Sequence, residues 1–162
     1  MGKTTVAFEM SRQLEATGLG HALVDMDELD RIFPAPPADP HKTQLTRRNL
    51  AAVWANLRDA GAQRLILTMV AAFPDYELPH IREAVPNAAI TVVRLHASEE
   101  VLLERVRRRE VGSGLEYQAR RSVEQAHLMA HQSTESVLTV NTSEQSVADV
   151  AGDILRRTGW SD

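Results

Sequence analysis

The 162-residue sequence contains no cysteine. Disulfides, thiolate metal sites and a cysteine nucleophile are therefore excluded. Aromatic residues make up only 4% of the chain, and there are two tryptophans. Trp54, in "LAAVWANL", reads as a core residue rather than a base-stacking platform. Trp160 reads as packing for the last helix. A basic excess is also missing: the formal net charge is -4. General nucleic-acid binders carry such an excess, so a small-molecule partner is expected and no nucleic acid. The longest apolar run, "LILTMVAAF", is far shorter than a membrane span, so no membrane is expected. No secretory leader, internal repeat, low-complexity tract or G-x-S-x-G nucleophile elbow is found. A cytoplasmic protein is the default expectation. Nothing in the sequence fixes an oligomeric state.

What is present suits one folded domain spanning 1–162: 43% hydrophobic and 25% charged residues. Three junctions share one grammar. "SRQLEATGLG" leads into "HALVDM", "NLRDAGAQ" into "RLILTMV", and "IREAVPNA" into "AITVVRL". An amphipathic helix ends at glycine in the first two and at proline in the third. An apolar run suited to a strand covered on both faces then follows. Helices are predicted near 3–17, 44–60, 77–85, 98–110, 116–131 and 145–158, and strands near 20–25, 64–70, 89–95 and 136–141. Val6, Met10 and Leu14 form one buried stripe; Val147, Val150, Ile154 and Leu155 form another. Ser98 is placed to cap one helix, and Thr142 with Gln145 has capping-box spacing before the last. Alternating elements with right-handed crossovers imply an α/β protein with a parallel sheet between helical layers. "FPAPPADPHK" reads as a rigid loop.

The chain opens "MGKTTVAFEM". Gly2-Lys3-Thr4-Thr5 is the second half of G-x-x-x-x-G-K-[ST], and an amphipathic helix begins at once. Such a loop aims backbone N–H groups at a phosphate from the start of a helix, where the dipole is positive. Lys3 would reach the outer phosphates, Thr4 would ligate Mg²⁺, and Thr5 would add a phosphate contact. The bland alternative is a frayed helix start. The strand and glycine spacer that normally precede this half have no residues here. Either the domain lacks them, or translation starts upstream of Met1; the second is favoured, because an internal GTG valine codon can be taken for a start.

"HALVDMDELDR" ends a strand with Asp25 and Asp27, at the edge of a parallel sheet where ligands bind. Asp25 could hold hydrated Mg²⁺, and Asp27 could take the proton of an acceptor hydroxyl. The competing role for Asp27 is helix capping alone. Further on, "LLERVRRRE" sets Arg105 and Arg109 on one helical face. "EVGSGLEYQARR" then supplies two glycines, Arg120 and Arg121. Together they suit a phosphotransfer lid over about 110–121, against the alternative of a solvated helix end. His127 and His131 lie four apart, but no third zinc ligand is evident. His21, His41, His80 and His96 read as structural or solvated.

With "GKTT", "VDMD", "LLERVRRRE" and "VNTSEQSVADVAGDIL" in this order, the chain resembles the small P-loop kinases of the nucleoside-monophosphate, shikimate and adenylylsulfate kinase group. The resemblance implies a three-layer αβα P-loop NTPase fold with strand order 2-3-1-4-5, strand 1 missing from this chain. It implies ATP and Mg²⁺. It also implies that Arg105 stacks on adenine, that Arg109 faces the phosphates, and that the segment after Asn141 and Thr142 borders the base. The acceptor would lie near Asp27, Arg31, Arg47 and Arg48. Two features depart from the adenylylsulfate kinase pattern: "DMDE" stands where D-G-D-N is expected, and "VAAFPDYE" lacks the serine-proline segment. No carboxylate ends "LILTMVAAF", so Asp25 would serve the metal.

The expected function is ATP-dependent phosphoryl transfer to a small-molecule acceptor. The alternative is a nucleotide-binding module without catalysis. With half the cradle absent, the 162-residue chain is expected to bind ATP weakly and to show little kinase activity. The reading frame upstream of Met1 should encode a short apolar strand and a glycine spacer; a stop codon immediately upstream, found by sequencing the locus, would contradict the upstream start.

Overall fold

The computed structural model describes residues 2–70, 74–109, 120, 123–124 and 137–161. They fall into two compact units, one of residues 7–90 and one of residues 1–6 with 91–162.

Helix α1 spans Lys3–Thr17. Val6, Met10 and Leu14 are buried along it as their spacing predicts, joined by Ala7. In the 7–90 unit, strand β1 (His21–Asp25) is followed by a single 3-10 turn, Met26–Glu28. Helix α2 (Thr43–Asp59), strand β2 (Arg64–Thr68) and helix α3 (Pro74–Ala84) complete it. β1 and β2 run parallel, from His21 opposite Arg64 to Asp25 opposite Thr68. Val24, Leu50, Ile81, Ala84 and Val85 form the buried core here, with Trp54 packed against it, as read from the sequence. Ser11 Oγ and His21 Nε2 lie 2.7 Å apart, and His21 Nδ1 lies 2.8 Å from Leu19 O.

The helix-to-strand turns follow from their glycines. Gly18 and Gly61 take φ of 73° and 105°. At the end of α2, Gly61 N donates to Arg58 O and Ala62 N to Leu57 O. These bonds satisfy carbonyls that the helix itself leaves open. Gly20 is required for a different reason. Its carbonyl accepts from Gln63 N at 2.8 Å and Arg64 N at 3.2 Å. A Cβ at Gly20 would lie 2.7 Å from Gly61 O, a backbone atom that cannot swing aside.

In the second unit, β3 (Val92–His96) pairs parallel with β4 (Val137–Asn141), with His96 opposite Asn141. Helix α4 (Glu99–Arg109) buries Leu102 and Val106. Helix α5 (Val147–Arg157) buries Val150, Ala151, Ile154 and Leu155. Val147 is 42% exposed, so Ala151 takes the place expected for it. Trp160 N donates to Leu155 O, closing the chain back on the end of α5.

Several boundaries differ from the sequence reading. α3 begins at Pro74 rather than near 77, because proline at a first helical position gives up only an amide that has no helical partner. β3 begins at Val92 rather than near 89, after Asn87 at φ 64°. α5 is capped by Ser146, whose Oγ accepts from Asp149 N, and not by Thr142 with Gln145. Thr142 is engaged elsewhere, as described below. The helix expected over 116–131 lies outside the described residues except at Arg120, Val123 and Glu124, which are helical. His127 and His131 also lie outside them.

Gly20→Ala is expected to destabilise the 7–90 unit by about 1–3 kcal/mol, the usual cost of overpacking against backbone. Urea denaturation measures it, and an unchanged midpoint would show that the turn yields freely.

Candidate functional site

The register of β1 and β2 brings their carboxyl ends level, and the segments that follow leave from the same edge. In parallel α/β sheets this edge is where ligands bind. A cavity of about 510 Å³ opens there within the 7–90 unit. Met26, Asp27 and Asp30 line it from the stretch after β1, and Met69 and Val70 from the stretch after β2. His41 and the first turns of α2 add Thr43, Thr46, Arg47 and Leu50. α3 adds Tyr76, Glu77, His80 and Ile81. Its volume is in the range of small-molecule sites.

The polar lining is tied to its surroundings. Asp30 Oδ1 lies 3.1 Å from Lys42 Nζ, which also donates to Asp30 O at 2.8 Å. Lys42 precedes α2 with φ 58°, and Asp39 Oδ2 accepts from Leu45 N in its first turn. Asn49 Nδ2 donates to Leu29 O at 2.6 Å. Together these bonds clamp the loop after β1 onto α2. Arg47 pairs through Nη1 with Glu83 and donates through Nη2 to Gln44 Oε1 at 2.7 Å. Tyr76 and His80 meet edge to face, 5.3 Å between ring centres. Arg47 Nε and His80 Nδ1 are buried atoms without a hydrogen-bond partner among the described residues.

The acidic pair separates into two settings. Asp25 is half-buried at the end of β1, and its Oδ1 accepts from Asp27 N at 3.1 Å. Asp25 is thus the cap of the 3-10 turn, the role that the bland alternative gave to Asp27. Asp27 is exposed and lines the cavity. Of the arginines expected near an acceptor, Arg47 lines the cavity. Arg48 is exposed and Arg31 pairs with Glu28 at 2.7 Å; neither is in the lining.

In the other unit, Gly2 has φ 99° and its carbonyl accepts the first helical bond, from Val6 N. Lys3, half-buried, and the exposed Thr4 and Thr5 therefore form the first turn of α1. Amides in a first turn have no acceptor within their own helix. Arg105 is held by Thr142: Nη1 donates to its Oγ1 at 2.9 Å and Nη2 to its carbonyl at 2.6 Å. Thr142 is buried, and its N and Oγ1 both donate to His96 O. This knot joins α4, β3 and the end of β4. Arg109 ends α4, Arg120 lies 3.8 Å from Glu124, and Arg121 lies outside the described residues. Among the described residues, no group of three or more His, Cys, Asp or Glu could hold a metal, and no helix is long and apolar enough to cross a membrane.

Comparison with solved structures matches the crystal structure of a gluconokinase from Sinorhizobium meliloti 1021. The TM-score is 0.57 and the sequence identity 23%, over 98% of this chain and 86% of that one. The likeness is one of fold. No protein-family model matches the chain, and no curated protein does.

Most of the cavity was not legible in the sequence. Tyr76, Glu77, His80 and Ile81 share one face only if the helix starts at Pro74, and a start near 77 hides that spacing. His41 and His80, read as structural or solvated, line the cavity. Thr68 carries no charge, and no motif in the sequence marks it. It is 6% exposed, and its Oγ1 has no hydrogen-bond partner among the described residues. A buried hydroxyl left unpaired costs stability that an isosteric methyl does not. Thr68→Val should therefore raise the ligand-free stability by about 1–3 kcal/mol. A lower thermal midpoint in calorimetry would show that the hydroxyl is satisfied in the folded chain.

Proposed function

We propose that this chain is an ATP-dependent kinase that phosphorylates a hydroxyl of a small molecule. The observation that carries this proposal is Gly2-Lys3-Thr4-Thr5 at the start of α1, with Gly2 in the left-handed region that the loop requires. The fold likeness to a gluconokinase supports it. The sheet is proposed to follow the order 2-3-1-4-5, with β1 to β4 as its second to fifth strands. The parallel pairs β1–β2 and β3–β4 are the neighbours that this order requires.

The proposed roles follow from residue chemistry. Gly2, Lys3, Thr4 and Thr5 bind the phosphates, and Lys3 offsets their charge. Thr4 and Asp25 supply a hydroxyl and a carboxylate, the oxygen donors that Mg²⁺ accepts. When bound, that ion neutralises charge on the phosphates. Few protein ligands are needed, because Mg²⁺ in such sites keeps waters and phosphate oxygens. Arg105, Arg109 and Thr142 are assigned to the nucleotide. Asp27 and Arg47 face the acceptor, Arg31 and Arg48 border its approach, and Arg120 and Arg121 belong to a lid. In the transfer, the acceptor oxygen bonds to the γ-phosphorus as the bond to the β–γ bridging oxygen breaks. ADP leaves with that electron pair, and the acceptor proton passes to the Asp27 carboxylate. Adenylylsulfate has no support as the acceptor.

One observation favours the second reading, a nucleotide-binding module without catalysis. β2 ends on Thr68, followed by Met69 and Val70, with no carboxylate to help hold a metal. The acidic pair separates the two readings. With γ-labelled ATP in excess, to offset the weak binding expected of this chain, and a metabolite extract as acceptor source, Asp27→Asn should cut turnover at least about 100-fold, the scale of a lost general base. Its ATP affinity should hold within about twofold, since the group acts on the acceptor. Asp25→Asn should instead raise the Mg²⁺ requirement. Small, equal effects of both changes would leave the pair as a turn cap.

A further inference from the structure

Asp30 lines the cavity of the 7–90 unit three residues after Asp27, and its two oxygens stand in different settings. Oδ1 lies 3.1 Å from Lys42 Nζ, and the same ammonium donates to the Asp30 carbonyl at 2.8 Å. Both side chains are largely covered, 27% exposed for Lys42 and 25% for Asp30. Oδ2 lies 3.4 Å from Thr46 Oγ1, beyond the usual O–H···O range. A threonine hydroxyl has one hydrogen, and this one goes to Lys42 O at 2.8 Å. Oδ2 therefore keeps acceptor capacity, on a carboxylate whose charge is matched and whose position is fixed.

Lys42 takes an unusual backbone to make these bonds. Its φ of 58° is left-handed, which is uncommon for a side chain of this kind. Its N donates to Asp39 O, and its carbonyl accepts from both Thr46 N and Thr46 Oγ1. Lys42 itself is not in the cavity lining, so it acts there through Asp30 and Thr46, which are. Left-handed outliers gather at ligand sites, where the surrounding bonds hold them in place. A fixed carboxylate with an open oxygen suits a hydroxyl donor, because the resulting bond is charge-assisted. We infer that Asp30 binds a hydroxyl of the acceptor other than the one that reacts at Asp27, and that Lys42 is the positioning residue that aims the Asp30 carboxylate. The acceptor then carries at least two hydroxyls. The inference rests on the kinase proposal for the bound molecule being a phosphoryl acceptor; the hold of Lys42 on Asp30 exists without ATP.

The test separates acceptor binding from turnover. The full chain, γ-labelled ATP in excess and a dilution series of a metabolite extract give a half-saturating amount of extract and a plateau rate. Asp30→Ala and Lys42→Met, both checked for folding by circular dichroism, should raise the half-saturating amount at least about tenfold and leave the plateau within about threefold. Lys42→Arg, which keeps a cation for Asp30, should stay within about threefold of the unmodified chain. An unchanged half-saturating amount in Asp30→Ala overturns the inference, as does a plateau that falls while half-saturation holds. Lys42→Arg as damaging as Lys42→Met overturns the positioning role. No labelled product from the unmodified chain counts against the kinase proposal, and sorbitol, a neutral molecule of several hydroxyls, then decides the inference by ligand-observed NMR without nucleotide. The same ranking of the variants supports it there, and no sorbitol binding by the unmodified chain at about 10 mM overturns it.

Discussion

The parallel register of β1 and β2 is the constraint on which the 7–90 unit depends. Asp25 stands opposite Thr68, so both strands end at one level and the chain leaves both at one edge. That edge is where the turn Met26–Glu28 and residues Met69 and Val70 come to line a common cavity. At the opposite edge the same register is set by backbone contact. Gly20 O receives two amides from the incoming strand, and Gly61 O comes so near Gly20 that no side chain fits between them. A slip of one residue would turn Ala22, Val24 and Ile66 out of the core. The position of Asp27 at the cavity is thus a consequence of glycines at the far end of the strands.

Charge pairing does the second part of the work. Lys42 holds Asp30 and its carbonyl, and Asn49 holds Leu29, so a loop rich in proline and polar residues is fixed to α2 without a large core of its own. Arg47 is fixed in the same manner by Glu83 and Gln44. These pairs are partly solvent-exposed, and each contributes modestly to stability. Their larger effect is on which charges are left to face a ligand. In the other unit, Arg105 is held by the hydroxyl and carbonyl of a buried threonine. That arrangement orients the guanidinium from two sides.

The fold was legible because its signals are local and repeated. Three helix-glycine-strand or helix-proline-strand junctions and two apolar stripes gave the alternation of α and β, and Gly18 and Gly61 adopt the left-handed conformations that the junctions called for. Motif residues were legible for the same reason: a G-K-T-T at a helix start and a D-x-D at a strand end are short patterns. The cavity was not, because it is assembled from four segments far apart in sequence. Its α3 face depends on where that helix begins, and Pro74 sets that start in a way that a hydrophobic stripe does not reveal. The engaged state of Arg47 was equally hidden, since its partner Glu83 is 36 residues away. Thr142 read as half of a capping box, when its hydroxyl and carbonyl in fact hold Arg105, 37 positions distant.

The central claim is that the start of α1 receives the phosphates of a nucleotide. A titration of the full chain with Mg²⁺-ATP, followed residue by residue through backbone amide NMR signals, tests it most directly. Residues 2–5 contain no proline, so each carries an amide to observe. The account predicts the largest shifts at Gly2, Lys3, Thr4 and Thr5, and a loss of affinity of about tenfold or more in Lys3→Ala. Shifts concentrated elsewhere in the chain, with Lys3→Ala binding as the unmodified protein does, would contradict it.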